Sequence, residues 1–366
     1  MNNILYYVKK FGNRSFEEFP FNEVDGLILS QISYMNLDSL LPTIDDTMED
    51  VSLLEGLDED HLKIACRNTL DRKNNYKLIH LLKKASRFEG LYVNYFSNQF
   101  SVEEVEQFCA MTFLFKNFMF VAYRGTDITL LGWKENLTMS YLDVIPSQRE
   151  AVRYLEKVSG KRELPIYLGG HSKGGNLAVY AAYSVGNEIQ DRITFIYDYD
   201  GPGFQTDIPH TEQMKNLMNR IEKYTCREAM VGILLNHSED LIFVKTKGLS
   251  IFQHDPYNWI VTKEGKFKLV DKANIFSKTF EKTTHDFIET SSIEVRKRFL
   301  EILFQVSMEH SYSTVLDWVR HPIRSISGII KRYKNLTSKQ RTFFRKMLKK
   351  YRIMWKQNFK LFLHQK

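Results

Sequence analysis

The sequence predicts an α/β protein, a mainly parallel sheet with helices on both faces, followed by a helical C-terminal extension. Three observations predict it. Short apolar runs alternate with stretches of helical length through the middle of the chain. A glycine-flanked serine sits where one such run passes into an alanine-rich segment. From His321 to the end there are 14 Lys and Arg and no Asp or Glu, on a helical repeat of apolar residues.

The elements follow in order. FMFVAY (118–123) reads as a strand, SQREAVRYLEKV (147–158) as a helix, LPIYLG (164–169) as a strand and GNLAVYAAYSV as a helix. ITFIYDY (193–199) then reads as a strand, HTEQMKNLMNRIEKY (210–224) as a helix, and VGILL (231–235) and LIFVKT (241–246) as strands. Strands separated by helices of this length pair mainly in parallel, with the helices covering both faces. Residues 1–284 are expected to form one domain, with a helical and polar N-terminal segment over about 20–90, and 285–366 a basic helical extension.

Composition sets limits on function. With 366 residues, 43% hydrophobic and 26% charged, the chain can bury a sizeable core in water. Cys66, Cys109 and Cys226 are odd in number and outside any Cys-x-x-Cys spacing, which disfavours a disulfide framework and a zinc knuckle. No metal or organic cofactor is expected. MNNILYYVKK has no apolar signal core, and no run of 18 apolar residues occurs downstream. The expected location is therefore the cytoplasm, with peripheral contact at the inner membrane surface as an extension of that reading. The net charge of +7 hides an acidic body bearing a basic tail.

The stretch Gly170-His171-Ser172-Lys173-Gly174 has the pattern of a nucleophile elbow. Glycines two before and two after the serine leave room where strand and helix fold tightly together, and the helix N-terminus favours a developing negative charge. The plainer reading is a glycine-rich βα turn. No Gly-x-x-x-x-Gly-Lys-Ser/Thr is present, so a Walker phosphate loop is excluded. A nucleophilic serine needs a base and an orienting acid, in this fold class in the order Ser, acid, His. Asp240 after VGILL and His254 after LIFVKT fit that order. Asp200 in YDYDGPGF and Glu239 are the rival acids. His237 would reverse the order, and His254 has the alternative of a turn histidine stacked on Trp259 or Tyr257. The oxyanion hole would use the Lys173 N–H and a group of Thr126 in VAYRGTD, a segment that an ordinary capped turn explains equally well.

These segments together carry a resemblance. VAYRGTD followed by GHSKG resembles the strand-turn and elbow pair of the class 3 lipases. FNEVDGLILSQISY, QFCAMTF, YRGTD, GWKENL, GHSKGGNLA, DYDGPGF and QHDPYNW, in order from about residue 20 to 260, are similar to a bacterial family of uncharacterised lipase-like α/β-hydrolases. The resemblance implies an α/β-hydrolase core with Ser172 as nucleophile and Thr126 and Lys173 at the oxyanion hole. In class 3 lipases the acid and histidine lie much farther apart than the 14 residues between Asp240 and His254. Residues 126–146 occupy the place of the lipase lid, so Leu130, Leu131, Trp133, Leu137, Met139, Tyr141 and Leu142 would line or cap an acyl pocket, or else belong to a packed helix.

The expected function is cleavage of carboxylic esters, lipids included, through an acyl-enzyme. The alternative is a non-catalytic protein of the same fold that binds a membrane or partner through its tail. In that tail Phe343, Phe344, Met347, Leu348, Tyr351, Met354, Trp355, Phe359 and Phe362 recur at three- and four-residue steps among Lys and Arg. Docking on the body, contact with an anionic membrane and phosphate contact with nucleic acid all fit such a stripe. The absence of a nucleic-acid motif disfavours the last.

Overall fold

The computed structural model describes residues 2–364 apart from 46–48, 102, 104, 127–129, 207–211 and 308–321. Among the described residues five helices open the chain: α1 (Ile4–Phe11), α2 (Glu23–Ile32), α3 (Leu53–Gly56), α4 (Glu59–Ala65) and α5 (Arg72–Leu82). Eight strands form one sheet in sequential order: β1 (Val51–Ser52), β2 (Tyr92–Ser101), β3 (Glu106–Leu114), β4 (Met119–Tyr123), β5 (Ile166–His171), β6 (Ile193–Tyr199), β7 (Ile221–Cys226) and β8 (Leu241–Val244). β1 to β4 pair antiparallel and β4 to β8 in parallel. The parallel half carries its crossovers in α6 (Leu130–Thr138), α7 (Pro146–Lys161), α8 (Lys173–Ser184), α9 (Asn187–Arg192) and α10 (Glu212–Met218).

The pleat divides the core. On β4, Phe120 and Ala122 face a cluster with α1, α2 and α5, whereas Met119, Val121 and Tyr123 face one with α7 and α8. Helix α7 starts on Pro146, where the missing N–H costs nothing, and buries Ala151, Tyr154, Leu155 and Val158, the spacing of one helical face. Helix α8 buries Ala178, Ala181 and Ala182, small side chains that bring its axis close to β5 and β6. Asp25 and Arg87, both fully buried, tie α2 to the start of the sheet, with Arg87 Nε 2.9 Å from Asp25 Oδ1 and Tyr7 donating to the same oxygen.

Two expectations fail here. Residues 221–224, expected to end a helix, belong instead to strand β7 (Ile221–Cys226), and VGILL is a run of bends and turns. IEKYTC looks polar because Lys223 lies on it, yet Lys223 is fully buried between Asp198 and Glu239, at 2.7 and 3.3 Å. Its charge is compensated by residues on other segments, which no local pattern reveals.

Among the described residues the C-terminal helices are α11 (Ile275–Glu289), α12 (Ile293–Ser307), α13 (Pro322–Asn335) and α14 (Ser338–Leu363). Helix α11 runs unbroken through the 284/285 boundary expected from sequence. On α14, Phe344 and Met347 are buried, the Tyr351 hydroxyl lies 3.0 Å from Thr284 Oγ1, and Asn358 donates to Asp286 at 2.9 Å. Much of the apolar stripe is therefore turned onto α11 and α12, as docking required. Among the described residues no helix is long and apolar enough to cross a membrane.

Candidate active site

Ser172 stands between β5 and α8 with φ 59° and ψ −132°, a combination that side chains other than glycine avoid. Its N–H is held by Tyr199 O at 2.8 Å. The flanking glycines have a steric cause: a Cβ on Gly170 would lie 2.3 Å from the Gly174 carbonyl carbon, and one on Gly174 would lie 2.1 Å from Tyr123 O. The elbow thus sits at the C-terminal ends of β4, β5 and β6, where a parallel sheet opens its crevice.

His254 ends a 3₁₀ turn, Ser250–His254, that follows β8. Its Nδ1 lies 2.6 Å from Asp200 Oδ2. A nitrogen facing a carboxylate carries the proton, which leaves Nε2 as the basic nitrogen of the ring. Asp200 is the rival acid, and the pairing corrects the choice of Asp240. With VGILL not a strand, Asp240 directly precedes β8 and so lies at the sheet edge opposite the elbow, where its side chain is exposed. Asp200 follows β6 at the same edge as Ser172. Glu239 is committed to Lys223, with His237 Nδ1 at 3.8 Å, and both stand apart from the His254–Asp200 pair.

Asp200 is fully buried at φ 57°. Burial by itself would raise its carboxyl, but donors from His254, Thr225 and Cys226 outweigh that and hold it at about 2. Cys226 Sγ donates at 3.1 Å and Thr225 through its hydroxyl. The turn beyond Asp200 is clamped as well. Asp198 accepts from Gly201 N at 2.8 Å and from Lys223 Nζ at 2.7 Å, and that ammonium also donates to Gly201 O at 2.7 Å.

His171 is a part of the site that sequence reasoning passed over, although it lies inside the elbow motif. Its ring packs on His254 with centroids 4.3 Å apart, where the alternative reading of His254 had it stacked on Trp259 or Tyr257. Its Nε2 donates to His254 O at 2.7 Å, while Nδ1 lies 3.2 Å from the Tyr34 hydroxyl, brought in just beyond α2. A carbonyl partner requires a proton on Nε2. Burial, and then the neighbouring His254, push its pKa down to about 3, against a weaker opposing pull from Asp200.

A stability prediction follows from this depressed pKa. The unfolded chain takes up the His171 proton near 6.5 and the folded ring only near 3, so stability is full above 6.5 and falls as the pH drops through that window. The slope is up to about 1.4 kcal/mol per pH unit. His171→Gln, compared with wild type by urea denaturation at about pH 7 and about pH 4.5, should lose less stability over the interval. An equal loss in both proteins would show that His171 is not the group responsible.

Thr126 is buried at the end of β4 and hydrogen-bonds through its hydroxyl to Asn136. Lys173 opens α8 with its side chain fully buried. In the lid-like segment Met139 is buried and Leu142 exposed, whereas Asp127 and the side chains of Leu130, Leu131, Trp133 and Leu137 lie outside the described residues. The described groups able to gather around a metal are His285, Asp286 and Glu289 on α11, at the surface and away from this site, with Asp286 already bonded to Lys282 and Asn358.

Residues 82–305 match the Mbeg1-like family. The chain belongs to the Mbeg1-like family. The matched span contains the elbow, Asp200 and His254 and ends within α12, while Tyr34, the partner of His171, lies before it. No curated protein matches. Among solved structures the chain is similar to the crystal structure of M37 lipase, at 14% identity and a TM-score of 0.37 over 59% of this chain and 70% of that one. The α/β-hydrolase fold of this Mbeg1-like chain is read from its own parallel strands β4 to β8, its helices on both faces and its strand-elbow-helix turn.

Proposed function

We propose that this protein is a serine hydrolase that cleaves carboxylic esters through an acyl-enzyme, with Ser172 as nucleophile, His254 as general base and Asp200 as orienting acid. The observation that carries the reading is the His254–Asp200 pair at 2.6 Å, placed at the same sheet edge as a strained elbow serine. His254 Nε2 takes the Ser172 proton as Oγ attacks the acyl carbon, then returns it to the leaving alkoxide. The ionised Asp200 steadies the imidazolium. The Lys173 N–H and Thr126 would receive the oxyanion. Water, activated by the same ring, releases the acid. The wild-type protein should be labelled by a fluorophosphonate and hydrolyse short p-nitrophenyl esters, and failure in both assays would overturn the proposal.

The tail supports a second element of the reading, peripheral contact with an anionic membrane from the cytoplasmic side. On α14, Leu348, Phe359 and Leu363 are exposed, and steps of 11 and 4 residues put them on one side of the helix. Arg345, Arg352 and Lys356 are exposed on that side too. Each such cation near an anionic bilayer adds about 1 kcal/mol. The protein should sediment with phosphatidylglycerol vesicles and be released by about 1 M salt. Charge reversal at Arg345, Arg352 and Lys356 should abolish sedimentation without changing ester turnover. If the wild type remains in the supernatant, this element is wrong.

A further inference from the structure

The two residues proposed for the oxyanion hole come from separate elements, Thr126 from the end of β4 and Lys173 from the elbow. Adjacent residues of α6 hold both. Glu135 Oε2 accepts from Lys173 Nζ at 2.5 Å, and the two side chains are fully buried. The same ammonium donates to Gln107 O at 2.6 Å, and the Glu135 carboxylate also accepts the N–H groups of Gln107 and Ser147 at 3.3 and 3.2 Å. Glu135 therefore ties α6 at once to β3, to the start of α7 and to the residue after the nucleophile. The next residue, Asn136, brings its side-chain Nδ2 to 2.7 Å from Thr126 Oγ1.

We infer that α6 is a fixed buttress of the oxyanion hole and not a lid that lifts, with Glu135 and Asn136 as positioning residues acting through Lys173 and Thr126. The inference rests on the hydrolase reading above. The physical case is that swinging α6 away would separate a carboxylate and an ammonium that are both buried, the costly way to break an ion pair. The Thr126 hydroxyl also lies 2.9 Å from Asn136 Oδ1, so the amide grips that hydroxyl through both of its polar atoms and fixes Thr126 where the oxyanion would form. The Lys173 ammonium, sealed behind the elbow, serves to anchor a backbone N–H and makes no contact with substrate.

The test uses the full chain and a trifluoromethyl ketone, which forms a tetrahedral adduct bearing the oxyanion. Asn136→Leu and Thr126→Val should each lower kcat about 10- to 100-fold with KM nearly unchanged, and should weaken the ketone by a similar factor. The double variant should be no worse than the weaker single, because both changes remove one interaction. Thr126→Ser, which keeps the hydroxyl, should recover most of the loss. Turnover should also rise smoothly as the ester passes its solubility limit. If wild type forms the adduct and Asn136→Leu matches it in kcat and ketone affinity, the buttress is overturned alone. A jump in turnover at the solubility limit overturns it as well. A wild type that forms no adduct overturns the hydrolase reading and this inference with it.

Discussion

Ser172→Ala is expected to abolish fluorophosphonate labelling and to lower ester turnover by about 10⁴-fold or more, the range seen when the nucleophile of a triad is deleted. The loss should be chemical and not structural. Ser172 sits at the N-cap of α8 but makes no side-chain cap bond, so its hydroxyl contributes nothing to that helix. Its backbone makes a second forecast possible. At φ 59° and ψ −132° any Cβ is strained. Ser172→Gly should therefore be equally inactive yet more stable, by about 1 kcal/mol. A stabilised, inactive variant would mean that the strain is kept to present Oγ at the top of the sheet. Retention of labelling by Ser172→Ala would place the reactive serine elsewhere.

Asp200→Asn is the next largest expected effect. The carboxylate that accepts from His254 Nδ1 becomes an amide able to donate to it, so the ring is held in the wrong tautomer and its cation loses its partner. A fall in kcat of about 10³- to 10⁴-fold is expected. The backbone tolerates the change, because Asn accepts the left-handed φ of 57° that Asp200 adopts. Asp240→Asn, at an exposed position beside β8, should leave turnover within about threefold of wild type, as surface substitutions generally do. Thermal unfolding of both variants would separate a lost proton relay from a weakened fold. If Asp240→Asn were the crippling change, the catalytic histidine would have to find an acid that this packing keeps away from it.

These two acids mark the limit of what was legible in the chain. The elbow could be read from sequence because its causes are local: two glycines, a strand before, a helix after. The parallel core was legible wherever strands were apolar, as in FMFVAY and ITFIYDY. It was misread at IEKYTC, where Lys223 made a strand look like a helix surface, and at VGILL, where apolar residues cover a turn. That pair of errors moved the acid one loop too far. His171 was visible as a letter inside the motif, but its task depends on a carbonyl 83 residues away.

By itself the sequence determined the class of fold, the position of the strained serine, the histidine beyond the last strand and the segregation of positive charge into the tail. Each of these is carried by neighbours within a turn or two of chain, where spacing alone constrains the backbone. Only the tertiary structure decided which carboxylate meets His254, that Glu135 and Asn136 on one helix reach both proposed oxyanion residues, and that much of the tail's apolar stripe is spent on α11. Those choices turn on which buried charges and hydroxyls find partners across distances of tens to hundreds of residues. Burial makes an unpaired partner costly, and only the packed chain brings the pairs together.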